Sequence, residues 1–224
     1  MASDALSGNE CGEQSYLWTM ERFAQPQAAG KYPRRYRATH RDRRERQAIC
    51  RALGRVPRGA SILDLPCGSG RLTPLLVERG LRVTGADSSP HMAAEARQSW
   101  PDESVRFEVR DVMATAYADD QFDAAICSRL FHHFSEPATR RRALRELRRI
   151  AAGPVIVSFF NSFALDAWRF RWKHWRRGSR PVDRIPIPMH LFETDVQAAG
   201  LRVAERLPVR WGISPQWYVV LRRA

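Results

Sequence analysis

The sequence predicts an α/β fold: a doubly wound, mostly parallel sheet of seven strands, with helices on both faces and an antiparallel last strand. Three observations carry this prediction. From residue 60 onward, short apolar runs alternate with helical patterns, the order that builds a parallel sheet. Several of those runs, FDAAICS and PVIVSFF among them, are apolar at nearly every position, so both faces of those strands need cover. The last two runs stand only a short turn apart, which allows an antiparallel pair but not a parallel crossover.

The elements follow in order. Residues 1–40 read as an N-terminal tail and a substrate-side arm, and 41–224 as one domain. The opening MASDALSGNECGEQS is polar and acidic, unlike a secretory leader. A helix is expected near 42–54, ended by Gly54. ASILDL is a strand, and SGRLTPLLVERG a helix closed by Gly80. LRVTGAD is a strand, and SPHMAAEARQSW a helix with Ser89 as cap and Pro90 at its first position. VRFEVRD and FDAAICS are strands, EPATRRRALRELRRIAAG is a helix, and PVIVSFF is a strand. A helix near 192–199, the strand LRVAERLPV, a turn around Gly212–Pro215 and the strand QWYVVLRR close the chain.

Composition removes some functions. No stretch approaches the ~20 apolar residues of a membrane span. The four cysteines, Cys11, Cys50, Cys67 and Cys127, form no CxxC pair and no His/Cys cluster at zinc spacing, so free thiols, a cytoplasmic location and no metal are expected. The net charge of +13 raises the question of nucleic acid. All but Lys31 and Lys173 of the 37 basic residues are arginine. So lopsided a ratio points to coding bias and discounts bulk charge as evidence.

The chemistry gathers at the strand ends, where ligands bind in such a sheet. Asp64, Asp87 and Asp111 end three successive strands, 23 and 24 residues apart. The loop Asp64-Leu-Pro-Cys-Gly-Ser-Gly70 has two glycines, Gly68 and Gly70, for a sharp turn and close approach. A dinucleotide loop needs a third glycine where Thr73 stands, and a Walker loop needs Gly-Lys after the first turn, where Gly70 is followed by Arg71. A carboxylate at its mouth repels a diphosphate and favours a ligand with a cationic end. Asp87 suits a ribose diol, and Asp111 beside Val112 and Met113 suits an exocyclic amine against an apolar wall. Each acid alone could equally be a capping or solvated residue; in register with the glycine loop they point to one ligand.

At this point the chain resembles the class I S-adenosylmethionine-dependent methyltransferases. ILDLPCGSGRL is similar to that family's first motif, VTGADSSPHM to its second, and VRDVMATAYADDQFDAAICSRLFHHF to its third and fourth. The resemblance covers residues 45–160 and departs at Pro66, where the family most often has glycine. It implies a Rossmann-like sheet and S-adenosylmethionine as cofactor. Asp64 with Cys67, Gly68 and Gly70 would line the methionine part; Asp87, Ser88 and Met92 the ribose; Asp111 and Val112 the adenine; Ser128 and Arg129 the middle of the cofactor. Cys67 reads as a small residue in a tight loop rather than a reactive thiol.

His132 and His133 follow the fourth strand at the rim where an acceptor should sit. His133 is the candidate base for a hydroxyl acceptor, with packing against the cofactor as its alternative. The segment SRLFHHF stands where amino-methylating nucleic-acid enzymes carry Asn/Asp-Pro-Pro-Tyr/Phe, which argues against base methylation of DNA or RNA. The expected partner is therefore a small molecule, anionic or lipid-linked; an RNA methyltransferase and a non-catalytic cofactor-binding module are the rivals.

Two basic segments remain. Leu144, Leu147 and Ile150 share one helical face, and Arg140, Arg141, Arg142, Arg145, Arg148 and Arg149 read as a solvated one. In ALDAWRFRWKHWRRGSR (164–180), Leu165, Trp168, Trp172 and Trp175 recur at helical spacing among basic residues. That stripe is either core, a lid within 161–190 over the acceptor, or an interfacial helix making peripheral membrane contact. With Tyr32, Tyr36 and their neighbouring arginines it could also grip an anionic substrate.

Overall fold

The computed structural model describes residues 16, 20–21, 40–178 and 184–224. Most of the expected arm, including Tyr32 and Tyr36, lies outside the described residues, as do Cys11 and residues 179–183.

The chain forms α1 (His40–Ala52), β1 (Ser61–Asp64), α2 (Thr73–Glu78), β2 (Arg82–Asp87), α3 (Pro90–Ser99), β3 (Arg106–Val109) and β4 (Ala124–Cys127). It continues through α4 (Pro137–Ile150), β5 (Val155–Phe160), α5 (Leu165–Arg176), α6 (Met189–Ala198), β6 (Leu201–Pro208) and β7 (Gln216–Arg223). The strands make one seven-stranded sheet in the order β3-β2-β1-β4-β5-β7-β6. β1 to β5 pair in parallel, and β7 runs antiparallel to both β5 and β6. The expected topology is therefore the observed one.

Alternate residues of the central strands feed two cores. Leu63, Ala125, Cys127 and Val157 pack with Leu144, Leu147, Ile150 and Phe192 on one face. Ile62, Ala124, Ile126 and Ile156 pack with Ile49, Leu53, Leu76 and Ala96 on the other. The strand order reverses between β1 and β4, so the loop after β1 opens at the switch point where a ligand crevice forms.

Three local expectations need correction. The helix predicted from Ser69 begins at Thr73, because Gly68 and Gly70 take φ of 56° and 78° and hold residues 65–72 as a loop. Arg140 is not solvated. It is buried on α4, its Nε donates to Asp195 Oδ2 of α6 at 2.7 Å and its Nη1 to the carbonyls of Phe134 and Ser135. Arg141 donates to the other oxygen of Asp195 and Arg145 Nη2 to the carbonyl of Ala198 at 3.4 Å, so three of the six arginines fasten α4 to α6. Finally, the tryptophan stripe of α5 is not core: Trp168, Trp172 and Trp175 are all exposed.

Candidate active site

The loop after β1 is built around Asp87. Gly68 N–H donates to Asp87 Oδ2 and Ser89 N–H to Asp87 Oδ1, each at 2.9 Å. Ser89 also caps α3, its side chain accepting from Met92 N–H. The end of β2 thus sets both the glycine turn and the start of the next helix. Gly68 faces open space, whereas a Cβ on Gly70 would lie 3.4 Å from Thr73 Oγ1 and 3.5 Å from Ala96 Cβ. Gly68 therefore makes room toward the cleft, and Gly70 closes the back of the turn. The Leu65–Pro66 peptide is cis.

A cleft opens over this loop. It is lined by Pro66, Cys67 and Gly68 from the loop, Asp87, Ser88 and Met92 from the end of β2 and the start of α3, and Asp111 and Val112 beyond β3. Ser128, Arg129 and His133, beyond β4, complete that side. Ten of the twelve residues singled out in the sequence line it. Gly70 stands behind the turn. Asp64 lies beneath the loop, fully buried, with neither carboxylate oxygen hydrogen-bonded among the described residues. Burial pushes its carboxyl up to about 8, with the nearby Asp87 adding to the rise and Arg71 opposing it. A buried carboxylate without donors is costly, and a cationic ligand seated above the loop offers the partner it lacks. Asp87 is also raised by burial, against its two backbone donors; each of its oxygens keeps a lone pair for a hydroxyl. Burial pushes the Cys67 thiol up, and Asp64 and Asp87 add to this, which disfavours the thiolate form. The residues present fit a ligand with a cationic end and a ribose.

Several members of the site were not legible. Glu45 of α1 is fully buried and accepts from Arg71 Nη2 (3.0 Å), Arg129 Nε (2.9 Å), Gln216 Nε2 (2.8 Å) and Tyr218 OH (2.7 Å). Burial alone would push its carboxyl up, but Arg71 and Arg129 with these hydrogen bonds hold it down at about 2. Ser128 Oγ joins the network through Tyr218 OH at 2.7 Å. This cluster fixes Arg129, a non-glycine residue at φ 61° whose backbone N–H donates to Ser158 Oγ. From the arm, Tyr16 and Met20 line the cleft. The Tyr16 ring packs edge-on against Phe134, and burial beside Asp111 raises its hydroxyl well above the tyrosine range.

The two histidines part company. His133 lines the cleft, while His132 stacks flat on Phe160, ring centroids 4.2 Å apart, and lines a second cavity. Phe160, Arg169, Phe170, Lys173 and Arg184 also wall this cavity, and Arg129 lines both. Among the described residues no His/Cys/Asp/Glu group could hold a metal ion.

A family model described as "Methyltransferase domain" matches residues 62–152. The chain is 32% identical over 162 residues to a ubiquinone biosynthesis O-methyltransferase of Aeromonas salmonicida, covering 68% of this chain and 67% of that protein. It is 33% identical over 156 residues to one of Pseudomonas fluorescens, covering 66% of each. Among solved structures, the magnesium protoporphyrin IX methyltransferase of Synechocystis with bound S-adenosylmethionine superposes with a TM-score of 0.68, at 16% identity and full coverage of both chains. The 1,6-didemethyltoxoflavin N1-methyltransferase of Burkholderia thailandensis gives 0.67 at 19% identity, covering 100% of this chain and 93% of that one. At those identities the structural matches establish the fold.

Proposed function

The chain belongs to the class I S-adenosylmethionine-dependent methyltransferases, and on that premise we propose that it methylates a hydroxyl of a small anionic acceptor with a planar, apolar body. The observation that carries this reading is the second cavity. Arg169, Lys173 and Arg184, against the one acid Asp166, give it an excess of positive charge, and Phe160 and Phe170 give it flat apolar walls. It shares Arg129 with the cofactor cleft. The O-methyltransferase relatives support an oxygen acceptor.

When bound, S-adenosylmethionine supplies the methyl group as an electrophile at its sulfonium. In this reading Asp64 faces its cationic end, Asp87 its ribose, and Asp111 with Val112 its base. The work left to the protein is placement, since an in-line displacement depends on holding the acceptor oxygen in position. Arg169 and Lys173 hold the anionic group, Phe160 and Phe170 sandwich the planar part, and an imidazole nitrogen of His133 takes the hydroxyl proton. Arginine suits the first role because its planar fork matches a carboxylate or phosphate.

The test is release of S-adenosylhomocysteine against hydroxylated aromatic acids and their neutral amides. The acids should be the better substrates. Arg169→Ala with Lys173→Ala should raise KM for the acid roughly tenfold or more with kcat little changed, the pattern of lost ground-state binding. His133→Asn should lower kcat about 100-fold while the cofactor still raises Tm. Equal turnover of acids and amides would sink the anionic assignment.

A further inference from the structure

The two faces of α5 differ in kind. Inward, Ala167 is buried and Phe170 lines the second cavity. Outward, Trp168, Trp172 and Trp175 are 62, 46 and 77% exposed. Trp168 and Trp172 lie nearly parallel with centroids 6.4 Å apart, and the Arg176 guanidinium sits 4.8 Å over the Trp172 ring. The patch continues past the helix. Leu165 N–H donates to Gly212 O at 2.9 Å and Asp166 N–H to Ile213 O at 3.1 Å, which joins the start of α5 to the turn carrying Trp211, 72% exposed. Phe163, 71% exposed, stands just before the helix. Six of the eight large hydrophobic side chains exposed among the described residues fall in this one patch.

Leaving four indoles in water is unfavourable unless something covers them. The surroundings indicate what. Arg169, Arg171, Lys173, Arg176 and Arg177 run beside the stripe, against the single acid Asp166, which Arg169 approaches at 3.8 Å. A protein partner reading this face would need an acidic groove wrapped around a convex helix. A bilayer surface needs nothing so specific. Indole places an apolar body in the acyl boundary with its N–H at the headgroups, and arginine and lysine bury their stems while their charges stay at anionic phosphates. A short helix with an indole-rich edge and a basic flank is built to lie in that plane. Among the described residues no helix is long and apolar enough to cross a membrane, so the contact is made from one side.

We propose that α5, with Phe163 and Trp211, seats this protein on the surface of an anionic phospholipid bilayer. The inner face of α5 walls the second cavity, so seating would bring that cavity to the membrane. The docking itself does not depend on which acceptor is used.

The experiment uses the full chain with vesicles of phosphatidylcholine alone or with phosphatidylglycerol, read by co-sedimentation and tryptophan emission. Binding should need phosphatidylglycerol, weaken as salt rises, and bring a blue shift as indoles leave water. Trp168→Ser with Trp175→Ser should weaken binding about tenfold or more, and Arg176→Glu with Arg177→Glu should remove most of its salt dependence. All four side chains are exposed, and each variant should keep the Tm rise produced by S-adenosylmethionine, which separates lost docking from lost folding. Equal binding to phosphatidylcholine alone, undiminished binding by the tryptophan variant, or retention of RNA or self-association through these residues in place of vesicle binding would each overturn the proposal.

Discussion

Two carboxylates are fully buried, one at the end of β1 and one on α1, and although Arg71 acts on both their surroundings are opposite. Glu45 has four donors from α1's neighbours, two of them guanidiniums, and is held at about 2. Asp64 has no donor among the described residues and is pushed up to about 8. The protein has thus satisfied one acid itself and left the other without a donor among the described residues, the arrangement that the proposed cationic ligand would complete. Burial by itself says nothing about role; what matters is whether the donors are already in place. Structural acids are saturated, whereas a binding acid is kept short of a partner at the expense of the apo state.

The largest effect is expected at Glu45. Glu45→Ala removes the carboxylate that Arg71 and Arg129 share, leaving Arg71 its 3.3 Å ion pair with Asp42, and should lower unfolding free energy by about 3–5 kcal/mol in a denaturant titration. A loss below about 1 kcal/mol would put Glu45 among ordinary surface pairs.

The second prediction has the opposite sign. Asp64→Asn should stabilise the apo protein at pH 8 by about 1–3 kcal/mol, since it removes a buried carboxylate that lacks donors. The pH dependence sharpens this. The folded-state value of Asp64 lies above its unfolded value of 3.8, so its contribution falls as pH rises from about 4 to about 8. For Glu45 the folded value lies below the unfolded 4.5. Its contribution is present above about 4.5 and lost as pH falls toward 2. Asp64→Asn should therefore flatten the alkaline side of the apo stability curve, and Glu45→Gln the acid side. Thermal melts from pH 3 to 9 read both slopes, and an unchanged alkaline slope in Asp64→Asn would count against the buried-acid reading.

The smallest effect is expected at the edge of the Glu45 network. Ser128→Ala removes the 2.7 Å contact with Tyr218 OH and the 3.3 Å bond that Ser128 Oγ accepts from Arg71 Nη2, but leaves Tyr218 and Arg71 their bonds to Glu45, so about 0.5–1.5 kcal/mol should be lost. A larger loss would mean that Ser128 holds Arg71 as firmly as Glu45 does.

The same contrast explains what the sequence disclosed. Asp64, Asp87 and Asp111 were legible because strand ends recur at a regular spacing and a glycine loop marks the first of them. Glu45 was not, because RDRRERQ is charged or polar at every position and carries no apolar spacing that marks a buried side. Its burial depends on Gln216 and Tyr218, which lie more than 170 residues away in the chain. Arg140 misled for the same reason, its partner Asp195 belonging to a helix 55 residues on. Periodicity gave α5 its indole stripe but could not say which way the stripe faces. Strand-end chemistry is local to the sequence, while charge pairing between layers is a property of the packed fold.

The most direct measurement compares the affinity of wild type and Asp64→Asn for S-adenosylmethionine and for 5′-methylthioadenosine, which lacks the sulfonium charge and the amino-acid arm with its α-ammonium. If Asp64 is kept for the cationic end, wild type prefers S-adenosylmethionine, and Asp64→Asn weakens that ligand about 10- to 100-fold while leaving 5′-methylthioadenosine nearly unchanged. Equal loss for both ligands, or no loss for either, would contradict it.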